Sequence, residues 1–131
     1  MKKFLTLLTL SLGVASTAAA GVVVIGNTAA GDMSASDAKK AFLGKGDTSL
    51  VVYELDEGNA TRAEFHSTVT GKSDAQLKAF WSKQVFTGKG NPPATVSSAT
   101  AMKAAVASNP SAIGYIDEAD VDGTVKVILK P

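Results

Sequence analysis

The sequence contains no cysteine. That absence excludes a disulfide-stapled scaffold, a Cys-ligated zinc or iron–sulfur centre and a thiol nucleophile. A multi-histidine metal cage is excluded too, because His66 is the single histidine. Charge of one sign is equally scarce: 13 Lys and Arg stand against 12 Asp and Glu. Neither a strongly basic nucleic-acid binder nor an acidic disordered tail fits that balance. No apolar run reaches the ~20 residues with which a helix crosses a bilayer. The phosphate-loop pattern Gly-x-x-x-x-Gly-Lys-Ser/Thr is missing, and Asp117 to Asp122 lacks the spacing and terminal Glu of a calcium-binding EF-hand loop. With no metal cluster and no activated nucleophile to assemble, the chain does not read as an enzyme, and no metal or cofactor is expected.

What is present begins with a leader. Lys2 and Lys3 form a positive start, Phe4 to Val14 is largely apolar, and Ala18-Ala19-Ala20 offers small residues for cleavage. Residues 1–20 read as a secretory signal peptide and 21–131 as one mature domain, near neutral once the two leader lysines are lost. A cysteine-free, Lys-rich exported chain of this kind points to a bacterial periplasm.

Along the mature chain, Gly21 to Gly26 is an unbroken β-branched run, the pattern of a strand buried on both faces. Ser34 or Ser36 caps a helix carrying Ala38, Ala41, Phe42 and Leu43, which Gly44 ends. Leu50 to Tyr53 is a second strand, and a polar elbow leads into a helix with Ala63, Phe65 and Val69 facing inward until Gly71. Ser73 or Asp74 starts a third helix with Leu77, Phe80, Trp81 and Val85 on one face, Trp81 reading as core rather than as a ligand platform. An exposed Gly/Pro loop spans 87–93, and Ser97 or Ser98 opens an Ala-rich helix ending near Asn109-Pro110. Ala112 to Ile116 and Thr124 to Leu129 close the chain as strands, the last alternating through Val125, Val127 and Leu129. The order β-α-β-α-α-α-β-β predicts an α/β domain, a mixed and mainly parallel sheet flanked by helices, with the first two strands parallel through a right-handed crossover.

Few residues offer chemistry. His66 reads as a solvated helical histidine. The triplets Gly44-Lys45-Gly46 and Gly88-Lys89-Gly90 read as helix ends and surface turns, and the Asp117–Asp122 cluster as a solvated turn. The elbow Glu57-Gly58-Asn59-Ala60-Thr61-Arg62 is the best local candidate. An anion there would meet unpaired N–H groups of the first helical turn, the Thr61 hydroxyl, the Asn59 amide and Arg62. Glu57 or Asp56 would accept a proton from hydrogen phosphate and repel a fully ionised anion such as sulfate. An ordinary capped helix start accounts for the same residues.

Several segments carry a resemblance. Ala41-Phe42-Leu43-Gly44-Lys45 is followed by Val51-Val52 with Glu57-Gly58-Asn59-Ala60-Thr61. Phe80-Trp81 and Phe86-Thr87-Gly88-Lys89-Gly90-Asn91-Pro92-Pro93 come next, and Asn109-Pro110-Ser111-Ala112-Ile113-Gly114-Tyr115-Ile116 last. In this order they resemble the phosphate-binding substrate-binding proteins of ABC transporters, and more closely the short single-domain members of that family. The resemblance runs from about Val22 to Ile116. It implies a single lobe of the periplasmic-binding-protein type that recognises phosphate or a related oxyanion in phosphate uptake or sensing. In full-length members the elbow reads Arg-Ser-Asp-Gly-Ser-Gly-Thr, and its Asp, Ser, Gly and Thr hold phosphate. Carried over, Glu57 matches the proton-accepting Asp, Asn59 the Ser, Ala60 the Gly and Thr61 the Thr, with Gly58 and Ala60 allowing close backbone approach. The family's Arg falls near Leu55, and Arg62 is the replacement cation. Full-length members close two lobes over the ligand, so one lobe implies an open site, or one closed by a second copy or a partner. The other expectation is a lobe that has lost its ligand and docks to a membrane sensor, porin or transporter component.

Overall fold

The structure, a computed structural model, describes residues 21–131. The expected signal peptide lies outside the described residues. The elements in chain order are β1 (Val22–Gly26), α1 (Ala35–Phe42), β2 (Val51–Leu55), α2 (Ala60–Thr68), α3 (Asp74–Phe86), β3 (Ala94–Val96), α4 (Ala99–Ala107), β4 (Ala112–Asp117) and β5 (Lys126–Leu129). A 3-10 turn at Glu118–Asp120 separates the last two strands. The helices open where short polar side chains satisfy first-turn amides: Ser34 accepts from Asp37 N, Ser73 and Gln76 form a reciprocal capping box, and Ser98 accepts from Ala101 N.

One five-stranded sheet runs in the order β3-β2-β4-β1-β5. β2 pairs in parallel with β3 and β4, whereas β1 pairs antiparallel with β4 and β5. Four strands therefore share one direction and β1 alone runs against them. The sheet is mixed and mainly parallel, as expected, but β1 and β2 are not parallel neighbours: β4 lies between them and β1 runs opposite to β2. An apolar run marks burial and carries no direction, so Val22–Ile25 served equally well as an antiparallel partner for the apolar β4. The structure also adds β3, whose three residues pair with Tyr53, Glu54 and Leu55 at the sheet edge. It follows two prolines and is largely exposed, a composition suited only to an edge.

The core is built on both faces of the central strands. β1 is buried along its length and β4 from Ala112 to Ile116. Successive side chains of β4 point to opposite faces. A Cβ on Gly114 would lie 2.3 Å from Met102 Sδ, so this glycine lets α4 rest directly on the sheet. On the other face Tyr115 stacks on Phe65 of α2 with centroids 4.0 Å apart, and Phe42 of α1 meets both rings edge-on. Helices α1 and α2 thus cover one face and α4 the other.

Three expected side-chain placements change. Ala63 is exposed, and α2 buries His66 beside the expected Phe65. In α3 only Leu77 and Trp81 are buried, while Val85 is 51% and Phe86 91% exposed. β5 buries Ile128, and Val125 just ahead of the strand is buried too, rather than an alternating set. Val24 pairs with Leu129 and Ile25 with Val127, so Ile128 is an extra residue in a bulge that turns it inward.

Candidate functional site

The expected elbow stands at the carboxyl end of β2, which runs two residues past its expected limit to Leu55. Asp56 and Glu57 are exposed, and Asn59 N donates to Asp56 O at 3.1 Å to close the turn. Gly58 adopts φ +89°, a left-handed conformation costly for any side chain, with open space where a Cβ would stand. Asn59 is the N-cap of α2: its Oδ1 accepts from Thr61 N at 2.8 Å, which leaves its side-chain NH2 as a donor. Ala63 N reaches Asn59 O. Of the first-turn amides, those of Ala60 and Arg62 remain as orphans of the helix start. No acidic residue sits in the first turn, so no carboxylate there offsets the positive end of the helix dipole.

Arg62 is turned back toward the strand. Its Nη1 donates to Leu55 O at 2.9 Å and its Nε lies 3.5 Å from Asp74 Oδ1 at the start of α3. The guanidinium therefore stands beside Leu55, the position that carries the cation in the resembled elbow. Glu57 and Arg62 border one open groove of about 520 Å³, otherwise lined by Leu77, Lys78, Trp81, Ser82, Val85 and Phe86 of α3 and by Pro92. Trp81 is almost fully buried and packs edge-on against Phe80, so the core reading holds, although its ring also forms part of the groove wall and its Nε1 has no hydrogen-bond partner. Of the six consecutive expected residues only Glu57 and Arg62 border this groove, and Arg62 is committed to the backbone of Leu55 as well.

The topology adds a neighbour that the sequence did not disclose. Leu55 and Val96 are partners in the parallel β2–β3 register, and Val96 leads through Ser97 to Ser98, the N-cap of α4. Two helices therefore start from adjacent strand ends at the same edge of the sheet.

Directly behind the elbow lies a polar cluster closed to solvent. His66 is fully buried, not solvated: its Nε2 is 2.7 Å from Glu54 Oε1 and its Nδ1 2.9 Å from Thr70 Oγ1. Tyr115 Oη donates to the same Glu54 oxygen at 2.7 Å and accepts from Leu55 N at 3.2 Å. Burial, and next the charge of Glu54, push the Tyr115 phenol well above its ordinary range. Glu54 and His66 are at most 2% exposed, so no substrate reaches them and the cluster serves to hold β2 and α2 together. The sequence held one signal for it: Glu54 interrupts an otherwise apolar strand end between Tyr53 and Leu55.

The other candidate features have structural roles. Gly44 and Gly88 take positive φ at the ends of α1 and α3. Asp117 caps the 3-10 turn, and Asp122 pairs with Lys103 at 3.0 Å and accepts from Thr124. Hydrogen bonds from Thr124, and then from Lys103, lower the Asp122 carboxyl to about 2. Among the described residues no group of three or more His, Cys, Asp and Glu is placed to hold a metal ion, and no helix is long and apolar enough to cross a membrane. A second cavity of about 440 Å³, bordered by Asp32, Asp47 and Ser111, lies at the opposite end of β2 and β4 and contains none of the expected site residues.

This arrangement of sheet and helices is the fold of one lobe of a periplasmic binding protein. It is similar to an ABC-type phosphate transport receptor from Vibrio cholerae, with 21% identity and a TM-score of 0.64, covering 83% of this chain and 45% of the receptor. It is also similar to a phosphate ABC transporter substrate-binding protein from Clostridium perfringens solved with bound phosphate, with 20% identity and a TM-score of 0.63, covering 83% of this chain and 44% of that one. The chain thus spans less than half the length of either protein. No protein-family model and no curated protein sequence matches it.

Proposed function

We propose that the chain is an exported, periplasmic oxyanion-recognition lobe that binds phosphate or a related anion at the β2–α2 elbow and acts in phosphate uptake or sensing. The observation that carries this reading is the return of the Arg62 guanidinium to the Leu55 carbonyl, 2.9 Å away. It holds a cation at the start of α2, on the rim of the groove that Glu57 also borders. In this reading the orphan amides of Ala60 and Arg62, the Asn59 NH2 and the Thr61 hydroxyl donate to the anion. Glu57 accepts the proton of hydrogen phosphate, and Gly58 and Ala60 let the backbone approach. The fold it shares with two phosphate-transport proteins supports the same role, that of a binding protein rather than an enzyme, with an ABC transporter component as the natural partner.

A thermal-melt titration with phosphate, sulfate and chloride at matched ionic strength tests the reading. A phosphate-selective rise is expected, equivalent to about 2.7 kcal/mol at a hundredfold excess over Kd. Glu57→Gln is expected to narrow the preference for phosphate over sulfate. A flat response from folded protein rejects the reading and favours the second one, a ligand-less lobe that docks to a membrane sensor, porin or transporter component. That alternative is supported by Phe86, 91% exposed beside the half-exposed Val85 at the end of α3.

A further inference from the structure

Arg62 carries five N–H donors, and its Nη1 is spent on Leu55 O. Its Nε is buried and faces the buried Oδ1 of Asp74, yet neither atom makes a hydrogen bond. Their separation of 3.5 Å is well beyond the ~2.7–2.9 Å of a charge-assisted N–H···O bond. The two groups attract each other without completing a bond. The Arg62 side chain is 12% exposed and that of Asp74 33%, so the carboxylate has water within reach and the guanidinium has little. Arg62 also borders the groove that Glu57 shares.

We infer that Asp74 is a built-in competitor for the Arg62 guanidinium, occupying the place that an incoming anion must take. The inference rests on the elbow reading given above and adds the residue that sets its affinity. An anion oxygen at Nε gains a hydrogen bond that the present contact does not supply, while the displaced carboxylate turns outward to solvent. The cap of α3 is made by Ser73 and Gln76 and does not use the Asp74 side chain. Removing the carboxylate charge therefore leaves the helix start in place.

The test compares the full-chain protein with Asp74→Asn, and uses Ser73→Ala as a control that weakens the same helix start while keeping the competitor. Inorganic phosphate is titrated by calorimetry and by the NMR resonance of the Arg62 Nε–H. Asp74→Asn is expected to lower the phosphate Kd by about two- to fivefold, the range of a partly exposed ion pair, and Ser73→Ala to leave it unchanged. In ligand-free protein the Nε–H resonance is expected to move on Asp74→Asn, and in the parent to move again as phosphate binds. A measurable parent Kd that Asp74→Asn fails to lower overturns the competition and leaves the elbow reading standing. An equal gain from Ser73→Ala also overturns it, because loosening of α3 would then be the cause. Absence of phosphate binding in both proteins overturns the elbow reading and the competition with it. A resonance that ignores Asp74→Asn in ligand-free protein overturns the pairing whatever the anion does.

Discussion

Tyr115→Phe removes one oxygen and keeps the aromatic stack on Phe65. That oxygen accepts from Leu55 N at 3.2 Å and donates to Glu54 Oε1 at 2.7 Å, both inside a region closed to water. Its loss leaves a buried backbone N–H without a partner, a cost of about 1–3 kcal/mol, and takes from a buried carboxyl a hydrogen bond of roughly 1.5–3 kcal/mol. The two terms share one group and do not add in full, so the expected loss is about 3 kcal/mol. For a domain of this size that is a fall in Tm of roughly 10–20 °C. Urea unfolding followed by the fluorescence of Trp81 measures it, with an unchanged slope showing that only stability has moved. A loss under about 1 kcal/mol at constant slope would refute the claim that Tyr115 holds the end of β2. The same variant carries a pH signature. Because the folded protein raises the Tyr115 phenol, the unfolded chain alone releases this proton as pH passes about 10, and stability is lost above that point. The full contribution is present below it. The phenylalanine variant is expected to show a flatter alkaline limb than the parent.

Other predictions concern packing, backbone and charge. Gly114→Ala places a methyl 2.3 Å from Met102 Sδ in a closed core and is expected to cost about 1–3 kcal/mol, with the burden falling on α4 and visible as faster amide exchange there. Gly58→Ala forces a left-handed residue at φ +89° and is expected to cost about 1 kcal/mol. Since nothing stands within 4 Å of the added methyl, an equal loss of phosphate response would place the turn's backbone in the site. For Asp122, lowered to about 2, the folding contribution is complete above the ordinary carboxylate range near 4 and fades as pH falls through about 2. Thr124→Ala, which keeps the backbone N–H bond and loses the hydroxyl one, is expected to raise its midpoint, read by side-chain carboxyl NMR, because the Thr124 hydroxyl is the largest single cause of the lowering.

The parts of the molecule that local chemistry decides were legible in the chain. Val22–Ile25 announced a buried strand and Ala112–Ile116 a strand, the serine caps announced helix starts, and Glu57–Arg62 announced a turn into a helix. What escaped depends on residues distant in sequence. The antiparallel sense of β1 is fixed by β4, about ninety positions later, and β3 exists only because β2 offers it a free edge. His66 was misplaced for the same reason. A polar residue beside Phe65 on an amphipathic helix looks solvated until Glu54 and Thr70 are seen to satisfy both of its ring nitrogens. The position of the Arg62 guanidinium likewise came from its reach across the elbow to Leu55 O, which no spacing rule encodes.

The reversed strand also dictates an order of events. β1 is the first element of the described domain, yet both of its partners, β4 and β5, are the last to be made. Contacts of such long sequence separation slow a folding reaction, because the loop between them must close before either strand is rewarded. The central layer therefore cannot assemble on a growing chain, and a polypeptide cut short before residue 112 lacks every strand that could shelter Val22–Ile25. The cooperative unit is the whole domain, and amide protons of β1 and β4 are expected to exchange only when all of it unfolds.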